Sequence, residues 1–229
     1  MPQGRTHEPN EAVILANECG RGCCIIDTKA LIDLCRIELS GRLAIEWVLQ
    51  DFCVLIPKTI FDEGCPYASF TSYANLYFSK IKTFVRPVSE GCEAIIDKQI
   101  DRLPQEQRTL IDPGERMGAA FALEMSRQQF QYVLFITNDF KATPPLKGMF
   151  DLLQVGMLRN AYDVLVFLAS RHPNEIPLGT LDVALRDLNS IVRDSSERAV
   201  AKSQKPDEVL LHHLQTINQF RSAFGSYLS

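Results

Sequence analysis

Apolar residues follow two rhythms along this chain. Short apolar runs stand at residues 23–27 ("CCIID"), 53–57 ("CVLIP"), 83–88 ("TFVRPV") and 132–138 ("YVLFITN"). They are too short and too continuous for helices, and they predict strands buried on both faces. Between them, apolar positions recur every three or four residues, the spacing of one helix face. That spacing predicts helices over 28–39 (Leu31, Leu34, Cys35, Leu39), 42–51, 59–79 with an interruption at Gly64-Cys65-Pro66, 89–103 (Ile95, Ile96, Ile100, Leu103) and 112–129. Residues 152–157, "LLQVGM", predict a fifth strand.

Strands alternating with helices imply βαβ units. The expected fold class is therefore α/β: a parallel-stranded central sheet with helices on both faces. The ends of the chain read differently. Residues 1–21 are polar and mixed, with a short apolar run at 12–16. Beyond "RHPNEIP", residues 180–198 place Leu181, Leu185, Leu188 and Val192 at helical spacing, and after the polar break at 201–206 Asp207 is positioned to cap a helix bearing Leu210, Leu214, Ile217 and Phe224. The chain thus divides into an N-terminal segment (1–21), an α/β domain (22–172) and a C-terminal helical extension (173–229). Packing of the extension on the α/β domain is the simpler expectation, since most apolar helix faces are core.

Two of the apolar strands run straight into carboxylates, Asp27 and Asp139. In an open parallel sheet, ligands bind beyond the carboxyl ends of the strands. If those two strands are neighbours, both acids reach one crevice. Glu63 in "PKTIFDEG" and Glu115 in "DPGER" stand near helix starts. Each acid also has a local explanation. Glu115, three residues after Asp112 with Pro113 at the first helical position, completes a capping box. Thr59 and Asp62 form a T-x-x-D box beside Glu63, and Asp139 is placed to cap a helix over 140–150. Asp27 is the hardest to explain this way, because its strand is so apolar. Four carboxylates in one cleft would repel one another unless cations lay between them. Oxygen ligands of this kind suit Mg²⁺ or Mn²⁺.

Composition narrows the classes. The 229 residues are 46% hydrophobic with a formal net charge of −4, which gives no basic field for nonspecific nucleic-acid binding. The seven cysteines (Cys19, Cys23, Cys24, Cys35, Cys53, Cys65, Cys92) are odd in number and several sit in apolar runs. "CGRGCC" has no matching Cys/His pair downstream, so it does not read as a zinc site. No apolar run approaches membrane-spanning length and the start lacks the apolar core of a signal peptide, so no membrane partner and a reducing, cytoplasmic location are expected. No G-x-x-x-x-G-K-[ST], G-x-G-x-x-G or G-x-S-x-G occurs. His7, His172, His212 and His213 all lie outside the strand-end motifs.

The four acidic segments, taken in order, resemble the motifs of PIN-domain ribonucleases, among them toxin-like PIN proteins. "CCIIDTKALIDL" looks like the first motif of that family, "VLIPKTIFDEG" the second, "IDPGERMGAAFALEMS" the third and "VLFITNDFKA" the fourth. The resemblance covers about residues 22–170, and its third and fourth motifs are the most specific. It implies that Asp27, Glu63, Glu115 and Asp139 form an acidic metal site, with Thr137 and Asn138 shaping the turn. It implies a metal-dependent endoribonuclease that hydrolyses RNA phosphodiester bonds with Mg²⁺ or Mn²⁺. In the toxin case a protein partner, the antitoxin, would lie across the cleft. Lys29, Lys58, Arg116 and Lys141 lie near the acids in sequence and are candidates for phosphate contacts. Lys29 and Lys141, with Thr137 and Asn138, are the expected substrate-binding residues. Lys29 departs from the family, which usually has a small polar residue two positions after the first Asp. That departure keeps open a second reading, a PIN-like module without catalysis that binds RNA or a protein. The exposed faces of the C-terminal helices offer a surface for a partner or a homo-oligomer.

Overall fold

The computed structural model describes residues 22–64, 85–129, 133–197, 210–212 and 215. The expected N-terminal segment, the second part of the helix expected over 59–79 and most of the last helix lie outside the described residues. So do the side chains of Glu63, Gly64, Val85, Arg86, Gln129 and 193–197.

The elements run β1 (Gly22–Ile26), α1 (Thr28–Leu34), β2 (Glu38–Leu39), β3 (Arg42–Leu43), α2 (Ala44–Asp51), β4 (Phe52–Pro57), α3 (Lys58–Gly64) and β5 (Val85–Arg86). There follow α4 (Glu90–Ile100), α5 (Gln105–Arg108), α6 (Pro113–Gln129), β6 (Val133–Ile136), α7 (Thr143–Leu153), β7 (Gly156–Arg159), α8 (Ala161–Arg171) and α9 (Leu178–Glu197). β4, β1, β6 and β7 pair in parallel, and the two-residue β5 adds to β4, giving the order β5-β4-β1-β6-β7.

Both faces of this sheet are covered, as the continuous apolar strands require. Cys24 and Ile26 of β1, Val54 and Ile56 of β4 and Ile136 of β6 face one core with α1, α2, α8 and α9. The alternate residues Cys23, Ile25, Cys53, Leu55, Val133 and Phe135 face the other, with α4, α6 and α7. This is the period-two alternation of a strand with both sides in protein. Burial accounts for the cysteines among the described residues: Cys23, Cys24, Cys35, Cys53 and Cys92 are all buried. Burial pushes the Cys35 thiol up to about 12, so it behaves as a small apolar group.

Two expected elements differ. The helix over 28–39 stops at Leu34, and Leu39 is buried in the β2–β3 hairpin instead. Ser40 and Gly41 take positive φ (56° and 74°), which is what a two-residue turn between antiparallel strands requires. The strand over 152–157 begins only at Gly156, because α7 continues to Leu153 and ends with Gln154 in the left-handed region (φ 52°). Gly156 (φ 154°) then approaches β6 so closely that a Cβ there would lie 2.0 Å from the Val133 carbonyl oxygen. Glycine is the residue that permits this start.

The first helix of the C-terminal extension packs on the α/β core. Leu181, Ala184, Leu185, Leu188 and Val192 of α9 are all buried there, against α8, α1 and β2. The Tyr162 hydroxyl donates to Asn189 Oδ1 at 3.0 Å, fastening α9 to α8. Among the described residues no helix is long and apolar enough to cross a membrane.

Candidate active site at the ends of β1 and β6

The chain leaves β1 toward β4 and later returns to place β6 on β1's other side. That reversal of strand order is the position at which open α/β sheets form a crevice at their carboxyl ends. The register pairs Ile26 with Ile136, so the next residues, Asp27 and Thr137, emerge side by side. The Asp27 N–H donates to the Ile136 carbonyl at 2.9 Å, carrying the pairing one step past the strand.

Asp27 serves as the N-cap of α1. Its Oδ1 accepts from the Ala30 N–H at 2.6 Å, and its Oδ2 accepts from the Asn138 N–H at 3.2 Å. The Thr137 hydroxyl also hydrogen-bonds this carboxylate and accepts the Asp139 N–H at 3.1 Å. Burial still dominates: it raises Asp27 to about 6 against those hydrogen bonds, and the charge of Asp33 adds to the rise.

Asp139 closes the turn. Its Oδ1 accepts from the Lys141 and Ala142 N–H groups (2.7 and 3.0 Å), and its carbonyl receives the Thr143 N–H and hydroxyl. It therefore shapes the approach to α7, which starts at Thr143 rather than 140. Its Oδ2 has no hydrogen-bond donor among the described residues.

Glu115 completes the capping box of α6: its Oε2 accepts the Asp112 N–H at 2.7 Å while its own N–H donates to Asp112 Oδ1 at 2.8 Å. It is buried, and that burial lifts its carboxyl well above the usual range. The side-chain hydrogen bond with Asp112 and the charges of Asp112 and Asp139 lift it further, so Asp139 lies near enough to act on Glu115.

Glu63 lies on α3, which packs against α1 and α6 and is tied to α1 by the Thr28 hydroxyl donating to the Ile60 carbonyl at 3.0 Å. Its helix thus borders those carrying Asp27 and Glu115.

The cations differ in their engagements. Lys58 pairs with Asp62 on its own helix, and Arg116 donates to Asp97 at 2.7 Å. Lys141 is exposed. Lys29 is half-buried, and its charge lowers the carboxyl of Asp33. The Asn138 side chain is internal: Nδ2 donates to Asp33 Oδ2 at 2.7 Å and Oδ1 accepts the Ala161 N–H at 2.9 Å.

Asp33 is the residue that sequence reasoning missed. It is 2% exposed. The signal was its place three residues after Ala30, on the buried side of α1. No motif would have nominated its partner, the side chain of Asn138, or that partner's other anchor, the first N–H of α8.

As donors, Asp27, Glu115 and Asp139 offer only carboxylate oxygens, the kind a hard divalent cation takes. None of the three forms an ion pair with lysine or arginine among the described residues. Among those residues, no group of three or more His, Cys, Asp or Glu side chains is close enough to form a metal site by itself. Compared with known proteins, the chain matches no family model, no curated protein and no solved structure.

Proposed function

We propose that this protein is a metal-dependent endoribonuclease of the PIN type, hydrolysing RNA phosphodiester bonds with Mg²⁺ or Mn²⁺. The observation that supports the reading most is the meeting of Asp27 with Thr137-Asn138-Asp139 at the carboxyl ends of adjacent parallel strands, with Glu115 facing Asp139 electrostatically. Asp27 and Glu115, from distant segments, are both raised by burial, which is costly for a fold and characteristic of sites that use the charge.

The residues fit the metal in the chemistry of their donors. Asp27, Glu115 and Asp139 would hold it, and the resemblance adds Glu63 of α3 as a fourth ligand. A bound divalent ion would lower the pKa of a water and offset charge on the phosphoryl oxygens. The chain's own part is positioning. Two backbone N–H groups and the Thr137 hydroxyl hold Asp27. The Lys141 and Ala142 amides hold one oxygen of Asp139 and leave the other without a donor among the described residues. Exposed Lys141, two residues after Asp139, would contact phosphate, which orients RNA without reading its sequence. This reading leaves two roles in the cytoplasm: the toxin of a toxin–antitoxin pair, blocked by a partner segment across the cleft, or an RNA-processing enzyme.

A second reading, a PIN-like module that binds RNA or a protein without cutting, is favoured by one observation. Lys29, on the first turn of α1 two residues after Asp27, sets a positive charge near Asp33.

Cleavage of labelled single-stranded and structured RNAs with Mg²⁺ or Mn²⁺, with EDTA, and by Asp139→Asn separates the two. Asn keeps an oxygen for the Lys141 and Ala142 amides, so this substitution removes charge and not the turn. Loss of cleavage with both EDTA and Asp139→Asn supports the nuclease. Full activity in Asp139→Asn rejects the site, and no metal-dependent cleavage by folded protein supports the binding module.

A further inference from the structure

We propose that Asp33 is a positioning residue for this site: its carboxylate orients Asn138, and Asn138 sets how Asp27 stands against the turn that carries Asp139. The effect on cleavage rests on the nuclease reading. The hold on the turn does not.

Asp33 lies inside α1 between Leu31 and Leu34, two residues of the core. A carboxylate placed there loses water, and burial raises it to about 6. Lys29 and Arg36 offset this through their charges, yet neither forms an ion pair with Asp33 among the described residues. The direct partner is the Asn138 amide at 2.7 Å, the short distance of a charge-assisted bond.

Asn138 is 1% exposed and bonds to three residues at once. It reaches Asp33 in α1, the Ala161 N–H at the start of α8, and Asp27 through its own backbone N–H. Only one orientation of its amide satisfies both side-chain bonds, to Asp33 and to Ala161. Turned over, its NH₂ would meet the Ala161 N–H and its oxygen the Asp33 carboxylate, leaving two donors and two acceptors opposed. Asp33 and Ala161 together therefore lock the amide.

Stability alone does not call for this device, because a buried polar set is commonly replaceable by apolar residues of similar volume. What distinguishes it is where it ends. The network joins a helix interior to the main-chain turn whose Asn138 N–H holds Asp27 and whose next residue is Asp139. Partners behind a ligand shell of this kind are commonly worth 10- to 100-fold in activity.

The test uses the full chain with Asp33→Leu, which removes the acceptor, and Asp33→Asn, whose amide oxygen still accepts from Asn138. Two readouts run in parallel: kcat and KM on single-stranded RNA with Mn²⁺, and amide hydrogen exchange at Asn138 and Ala161. In Asp33→Leu we expect kcat to fall roughly 10- to 100-fold at nearly unchanged KM, with faster exchange at both amides. Asp33→Asn keeps both readouts near wild type. If Asp33→Leu does not fold, Asp33→Ser, too short to reach Asn138, carries the same expectations. A folded variant with unchanged exchange, or with faster exchange and unchanged kcat, overturns the proposal. If the wild-type protein cuts no RNA, the nuclease reading fails, and exchange alone then decides whether Asp33 holds the turn.

Discussion

The main-chain N–H of Asn138 donates to Oδ2 of Asp27 at 3.2 Å, joining residues 111 positions apart into one turn. Both belong to strand ends whose hydrogen-bonded pairing makes them neighbours. Everything specific about the candidate site depends on that adjacency.

Asp33 makes stability depend on pH. Its folded-state pKa, about 6, lies above the 3.8 of an ordinary aspartate, so the folded protein binds the proton more tightly. Its burial then costs nothing below about pH 4, and the cost grows as pH rises through 6. At about 1.4 kcal/mol per unit of pKa, the cost at pH 7 has an upper bound of roughly 3 kcal/mol. Asp33→Asn removes it. Urea denaturation at pH 4 and pH 7 should show the variant gaining relative to wild type at the higher pH. An equal difference at both pH values would reject the assignment.

Replacing Asn138 acts in the opposite sense. Asn138→Ala leaves Asp33 without its direct donor and the Ala161 N–H without its acceptor. We expect a loss on the order of 2–5 kcal/mol at pH 7, smaller near pH 4 where Asp33 takes up a proton. The urea midpoint at the two pH values measures it.

Two helix glycines should respond oppositely to alanine. A Cβ added at Gly148 on α7 would meet nothing within 4 Å, so Gly148→Ala should stabilise by about 0.5–1 kcal/mol through helix propensity. At Gly118 on α6 a Cβ would lie 2.4 Å from Cζ of Phe135, a fully buried ring stacked near Phe150. Overpacking should exceed the propensity gain there, with a net loss of about 1–3 kcal/mol. Thermal melts of the two variants decide it.

The stretch after α8 is anchored by a histidine between two acids. His172 Nε2 lies 2.9 Å from Asp51 Oδ2, its Nδ1 lies 3.3 Å from Glu175, and its ring packs on Trp47 with centroids 4.9 Å apart. His172→Ala removes the ring contact and leaves Asp51, a buried carboxylate, with Arg171 as its remaining partner. A loss of about 1–3 kcal/mol in urea denaturation is expected. Leu188→Ala on α9, a fully buried position, should cost about 2–5 kcal/mol. A loss below about 0.5 kcal/mol at Leu188 would mean that α9 does not belong to the core in solution.

The order of strands and helices, the coverage of both sheet faces and the placing of acids at strand ends were legible in the chain itself. Those features are local: continuous apolar runs of this length suit a strand buried on both sides, and a carboxylate directly after such a run marks the strand's end. Tertiary structure decided the rest. The sequence does not say that β6 lies beside β1, and without that adjacency Asp27 and Asp139 are two unrelated acids. Leu39 satisfies a helical spacing equally well as a hairpin residue, and Ser40-Gly41 settles it only through positive φ. Leu152 and Leu153 continue α7 because Gln154 and Gly156 supply the backbone geometry for a later strand. Asp33 reads as one polar residue on a helix until folding brings Asn138, 105 positions away, within 2.7 Å. A buried charge is tolerable only with its partner in place, and partners so far apart in sequence meet only in the folded chain.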